Sequence, residues 1–184
     1  MRTAILITGN AGCGKTTLGN FLADTLNAER ISTGDIARSL PNRDWEDQGK
    51  LAPEAAFRAA FRQEIMKPIH AKRDLFVIDG LPRTAEQIKF ARGIFDRILI
   101  IRVALGKKAA EHRLTERGRK DDTIDIIKKR YRDMEDKLGE IQQEAMTISR
   151  IDDRVQYLRI SNSTSMEDMY EDAINMIIIA LPDI

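Results

Sequence analysis

The apolar run Ala4-Ile5-Leu6-Ile7 opens into Gly9-Asn10-Ala11-Gly12-Cys13-Gly14-Lys15-Thr16, and the stretch that follows, Lys15 to Leu26, has helical periodicity. Little else constrains a chain so strongly. A strand must deliver its end to a glycine turn whose backbone N–H groups face inward, and a helix must leave with its positive end aimed at the same point. The spacing is G-x-x-x-x-G-K-[ST] in the strand, turn, helix context that the pattern requires, so it implies a nucleotide held by its phosphates. Lys15 then reaches the β and γ phosphates, and Thr16 is placed to ligate Mg²⁺. Asn10, Ala11, Gly12, Cys13, Gly14 and Thr17 complete the wall of the cradle. Cys13 has two readings there, a thiol activated by the helix N-terminus or a small loop filler, and the filler is the simpler.

The rest of the chain repeats the alternation. Apolar runs suited to buried strands recur at Leu75 to Ile78, Ile98 to Val103 and Val155 to Ile160, with Arg30 to Ser32 a weaker candidate. Helical segments lie between them at Pro53 to His70, Thr84 to Ile94, Lys107 to Glu116, Thr123 to Ile148 and Met166 to Ile179. This pattern predicts an α/β fold with a parallel sheet covered by helices on both faces. Pro41 to Gly49, rich in charge and turn formers, reads as a loop excursion. At 184 residues and 42% hydrophobic, the chain has length for one domain.

Thirty basic and twenty-nine acidic residues leave a formal charge of +1, so no global field draws nucleic acid or an anionic membrane, and phosphate binding must be local. One cysteine and two histidines build neither a disulfide nor a tetrahedral zinc site. The apolar run Met176 to Leu181 is far shorter than the ~20 residues a bilayer span needs. The start of the sequence lacks a signal-peptide pattern, and a cytoplasmic location is expected.

Three further segments line up in order with one family. Ile31-Ser32-Thr33-Gly34-Asp35-Ile36-Ala37-Arg38 resembles I-S-T-G-D-x-x-R, Asp79-Gly80-Leu81-Pro82-Arg83-Thr84 with Gln87 resembles D-G-F-P-R-T-x-x-Q, and Arg113 to Asp122 followed by Arg130 is similar to a lid and the helix behind it. The chain thus resembles the adenylate kinase family of nucleoside monophosphate (NMP) kinases over nearly its whole length. The resemblance implies a P-loop NTPase three-layer fold, a five-stranded parallel sheet flanked by helices. It divides the single domain 1–184 into a core (1–32, 72–112 and 123–184), a small NMP-binding insertion at about 33–71 and a minimal lid at about 113–122.

It also implies roles. Lys15, Arg83, Arg117, Arg119 and Arg130 would act on the transferring phosphoryl group. Arg113 would stack on the donor adenine beside Arg117. Thr33, Gly34, Arg38, Ala52, Gly80, Arg83 and Gln87 would hold the acceptor, Arg38 and Arg83 on its phosphate and Gln87 on its base. Such positive donors suit a transfer between two anions, in which there is little covalent chemistry for the protein to do. In isolation, Arg113 to Asp122 would read as a solvated salt-bridge face, and it is the matched order that points to function. Asp79, at the carboxyl end of a central strand, and Asp35 would reach Mg²⁺ through water; a turn or capping role is the alternative for each. No general base is needed, because an acceptor phosphate is ionised at neutral pH and reacts by positioning. The expected reaction is ATP + AMP to 2 ADP, with Mg²⁺ and without zinc, in a monomer.

Several features depart from the family. Lys15-Thr16-Thr17 replaces the family's Gly-Thr-Gln continuation, Leu81 replaces a phenylalanine, and both the segment after Arg38 and the lid are short. Gly49-Lys50-Leu51-Ala52-Pro53 still resembles G-x-L-V-P beside the acceptor base, and Thr33 is the residue adenylate kinases favour where pyrimidine kinases carry Ala. Trp45 reads either as an acceptor-base contact or as part of a small surface cluster, the latter preferred. Two alternatives stay open: a nucleotide-dependent assembly factor with weak ATPase activity, and a kinase of another small acceptor with Asp35 as base.

Overall fold

A computed structural model describes residues 1–41, 44–47, 50–117 and 124–184, the side chains of Glu46, Asp47 and Arg117 excepted. Five parallel strands form one sheet in the order β2-β3-β1-β4-β5: β1 (Thr3–Thr8), β2 (Glu29–Ser32), β3 (Leu75–Asp79), β4 (Arg97–Ala104) and β5 (Val155–Ser161). The central place of β1 explains its unbroken apolar run, since Ala4 to Ile7 are fully buried between helices on both faces. Alternate residues serve opposite faces. Leu6, Phe76, Ile78 and Ile100 point into one apolar layer, and Ile5, Ile7, Val77 and Leu99 into the other.

Helix α1 (Lys15–Thr25) and the C-terminal α8 (Met166–Ala180) cover the second layer. The first is covered by α4 (Glu54–His70), α5 (Glu86–Arg92) and the long α7 (Ile124–Ser149), which turns Leu138, Ile141, Ala145 and Ile148 inward at helical spacing. The α/β class, the parallel sheet and all five expected strands are present.

Two elements escape the sequence pattern, α2 (Thr33–Ser39) and α3 (Asp44–Asp47). In α2 the Ser32 hydroxyl accepts from the Asp35 N–H at 3.3 Å, an N-cap for a helix too short to show periodicity. Helix α5 is shorter than its predicted span because its ends tighten into i→i+3 turns, with Gln87 N–H on the Thr84 carbonyl and Gly93 N–H on that of Phe90. Helix α6 runs Lys107–Arg117. In the sheet register Ile7 stands opposite Asp79 on one side of β1, and Thr8 opposite Arg102 on the other. The carboxyl ends of β1 and β3 therefore open on one crevice, and the loops leaving them line it.

Candidate active site

At the end of β1 the chain makes its turn on left-handed glycines. Gly14, with φ +96°, caps α1, and a Cβ there would lie 2.5 Å from the Asn162 amide nitrogen. Asn162, 1% exposed at the end of β5, donates from that nitrogen to the Cys13 carbonyl at 2.9 Å, so the loop is tied down from below. The Cys13 side chain is fully buried in the apolar layer over α1, which makes it a packing residue. Lys15 arches back over the turn, its ammonium donating to the carbonyls of Gly9 (2.9 Å) and Asn10 (2.7 Å).

Beside the loop, the Thr16 hydroxyl donates to Asp79 Oδ2 at 2.7 Å. Asp79 is 4% exposed, and Arg30 from β2 donates to the same oxygen at 3.2 Å. A hydroxyl and one carboxylate at the loop fit Mg²⁺, which keeps several waters and binds through one or two carboxylates plus substrate phosphates. The described residues contain no cluster of three or more His, Cys, Asp or Glu side chains able to cage a metal. Asp35 is not brought to this point: its exposed carboxylate accepts from Arg38 one turn along α2, and that hydrogen bond holds it below the usual carboxylate value.

Lys15, Thr16, Thr17 and Asp79 share a cleft of about 900 Å³ with Gly12, Gly14, Gly34, Gly80, Arg38, Arg83, Arg113 and Arg130. The four arginines come from α2, the turn after β3, α6 and α7. The Arg83 Nε donates to the Gly80 carbonyl at 3.1 Å, and its backbone N–H donates to Gln87 Oε1 at 2.7 Å. Burial pushes the Arg83 guanidinium below its ordinary value; Asp79 opposes this, while the charges of Arg130 and Arg38 add to it. Guanidinium groups gathered in one cleft suit the binding of anions.

Other expected residues stand behind this lining. Thr33, 2% exposed, donates its hydroxyl to the Asp79 carbonyl at 3.0 Å. Gln87 is buried, with its Nε2 on Glu54 at 3.0 Å, so both amide atoms are engaged in bracing the Arg83 turn. Ala52 packs against the core, and its neighbours Lys50 and Leu51 face the cleft instead. Asn10 turns its side chain away, toward Glu135 on α7. Arg119 with Gly118 and the remaining lid residues to Asp122 lie outside the described residues, as does the side chain of Arg117.

The lining also contains residues that the sequence did not single out: Asp133, Met134, Lys137 and Met166. Lys137 had a usable signal, because it follows Arg130 by seven residues and so shares its helix face. Trp45, read as part of a surface cluster, lines the cleft from α3, and the surface reading is corrected. Arg30, adjoining the acceptor motif in sequence, carries no pattern that announces its bond to Asp79.

Residues 8–128 match the family model described as AAA domain. Adenylate kinase from Mycobacteroides abscessus is 32% identical over 148 residues, covering 70% of this chain and 80% of that protein. This chain belongs to the adenylate kinase family of P-loop nucleoside monophosphate kinases. Membership extends over the sheet: uridylate kinase from Saccharomyces cerevisiae is 28% identical over 92% of this chain and 88% of its own, and adenylate kinase 1 from Nostoc sp. is 27% identical over 91% and 94%. A kinase of this family is a phosphotransferase with a phosphate group as acceptor. Among the described residues, no helix is long and apolar enough to cross a membrane.

Proposed function

We propose that the chain transfers the γ-phosphoryl group of Mg-ATP to a nucleoside monophosphate, with AMP the favoured acceptor. The observation that carries this reading is the meeting of Lys15, Arg38, Arg83 and Arg130, from four separate segments, in the cleft that Thr16 and Asp79 enter. A single nucleotide held for hydrolysis does not call for cations on both walls; two anions brought end to end do.

The loop N–H groups and Lys15 take the donor phosphates, and Arg113 lies against the donor adenine. Arg38 and Arg83 hold the acceptor phosphate, supplied by the insertion 33–71 and the turn after β3. Arg130, joined by Arg117 and Arg119 of the lid, balances charge on the moving group. Thr16 and Asp79 would hold Mg²⁺, and the ion would supply positive charge against the donor phosphates when bound. No side chain removes a proton.

Thr33 and the relatives named adenylate kinase support AMP. A uridylate acceptor is the second reading, favoured by the yeast relative's name and by the Thr33 hydroxyl being already engaged on Asp79. Initial rates of ADP formation from Mg-ATP with AMP, UMP, CMP, GMP or dTMP decide between them. The proposal expects the highest kcat/KM with AMP. A maximum with UMP replaces the acceptor assignment, and rates equal to ATP alone in every case overturn the kinase reading for this chain.

A further inference from the structure

Helix α7 carries Arg130, Met134 and Lys137 on the face that lines the cleft. Its inward anchors are unevenly spread. Between Ile127 and Leu138 no α7 residue is fully buried, and the apolar support of these almost three turns comes from the partly buried Tyr131 and Met134. Polar contacts add to it. Glu135, about one hundred degrees round the helix from Met134, accepts from Asn10 Nδ2 at 2.5 Å and from Arg102 Nη2 at 2.6 Å. One turn earlier the Tyr131 hydroxyl donates to the Leu105 carbonyl at 3.3 Å.

Asn10 belongs to the phosphate loop and is 4% exposed. Arg102 lies on β4 opposite Thr8 of β1, and its side chain is 13% exposed against 45% for Glu135. One carboxylate thus joins the loop, the sheet and α7. A carboxylate only accepts, so it fixes the Asn10 amide with its nitrogen toward the helix.

We propose that Glu135 is a positioning residue: by clasping Asn10 and Arg102 it sets the rotation of α7 against the phosphate loop and so aims Arg130 at the transferring group. This rests on the role given to Arg130 above. Residues 130 and 135 are rigidly related by helix geometry, so rotation about the helix axis at the clasp moves the guanidinium sideways. Misplacing a charge-stabilising group by about an ångström costs up to roughly a hundredfold in rate. Glutamine at 135 keeps one acceptor oxygen but turns an NH₂ toward the other donor, so Glu135→Gln holds half of the clasp.

The test is a double-mutant cycle on kcat with saturating Mg-ATP and acceptor, using wild type, Glu135→Ala, Arg130→Ala and the double variant, with Glu135→Gln alongside and melting temperature recorded for each. The clasp predicts a kcat loss of about ten- to a hundredfold for Glu135→Ala, with KM for ATP within about threefold and a smaller loss for Glu135→Gln. In the Arg130→Ala background the same change costs less than about threefold, because the group being aimed is gone. Full additivity in the cycle, or unchanged kcat in Glu135→Ala, overturns the proposal. If Glu135→Ala does not fold, the cycle is run with Glu135→Gln and the same criterion applies. Failure of the Arg130 assignment shows separately, as an Arg130→Ala variant with wild-type kcat.

Discussion

The wall of the cleft proposed to take the donor offers backbone N–H groups and one lysine, fixed by glycines pressed against Asn162 and against the Ala110 carbonyl of α6. The wall proposed to take the acceptor offers the guanidinium groups of Arg38 and Arg83, one on a short surface helix and one on a turn braced by Gln87. The first wall is sterically locked and tolerates no added atom. The second is built from side chains, and its strength lies in their charge. In the proposed reaction one substrate is held by a rigid backbone frame and the other by fixed guanidinium charge.

This contrast can be broken most sharply at Lys15 and Arg83. Lys15→Ala should reduce kcat for transfer on the order of a thousandfold, and acceptor-independent ATP hydrolysis should fall with it. Arg83→Ala should lower transfer by about a hundred- to a thousandfold while leaving acceptor-independent hydrolysis within a few-fold. Parallel losses of both activities in both variants would show that the two walls are not separable.

Steric locking is sharpened next. Gly14→Ala places a Cβ at φ +96° and 2.5 Å from the Asn162 amide. The left-handed backbone alone costs about 1–2 kcal/mol, so thermal unfolding should shift down by roughly 2–8 °C, with ATP affinity lost as well. On the other wall, Gln87→Ala leaves the Arg83 N–H without its acceptor and removes one of the two donors on Glu54, where Arg58 remains. It should cost about 1–3 kcal/mol of stability in chemical unfolding and raise the acceptor KM with little change in that for ATP.

The smallest effect belongs to the exposed Asp35–Arg38 pair. The hydrogen bond from Arg38 lowers the Asp35 pKa in the folded protein, opposed by slight burial and aided by Ser32. Its contribution to stability is therefore fully present above the ordinary carboxylate value of 3.8 and is lost as pH falls through the lower folded value. Wild type and Asp35→Asn should differ by a constant small margin in melting temperature from neutral pH down to about pH 5 and converge only as pH falls below 3.8. A difference that changes between pH 5 and 8 would contradict the assignment.

The two walls also differ in how far the sequence reveals them. The phosphate cradle is local, eight consecutive residues after an apolar strand, so the order of residue types determines its shape. Strands such as Ile98 to Ile101 were equally legible because burial on both faces leaves no room for polar alternation. The acceptor wall depends on where separate helices dock. Thr33, Gln87 and Ala52, read as acceptor contacts, lie behind the residues that line the cleft, since a motif gives proximity along the chain but not the direction of a side chain. Helix α2, seven residues long with Gly34 inside it, is too brief for periodicity to register. Trp45 could be placed at the cleft only once α3 was in position, and Lys137, on the Arg130 face of α7, was passed over although its spacing was readable. The Asn10–Glu135 bond joins positions 125 residues apart and has no local signal at all.

The most direct test of the central claim, that one cleft holds a donor and an acceptor anion together, is ADP formation from Mg-ATP by wild type and Arg83→Ala, each with AMP and with no acceptor. The account predicts that AMP raises the wild-type rate far above the ATP-only rate and that Arg83→Ala abolishes this gain. Equal slow hydrolysis by wild type with and without AMP, and with each other monophosphate tried in its place, would contradict it.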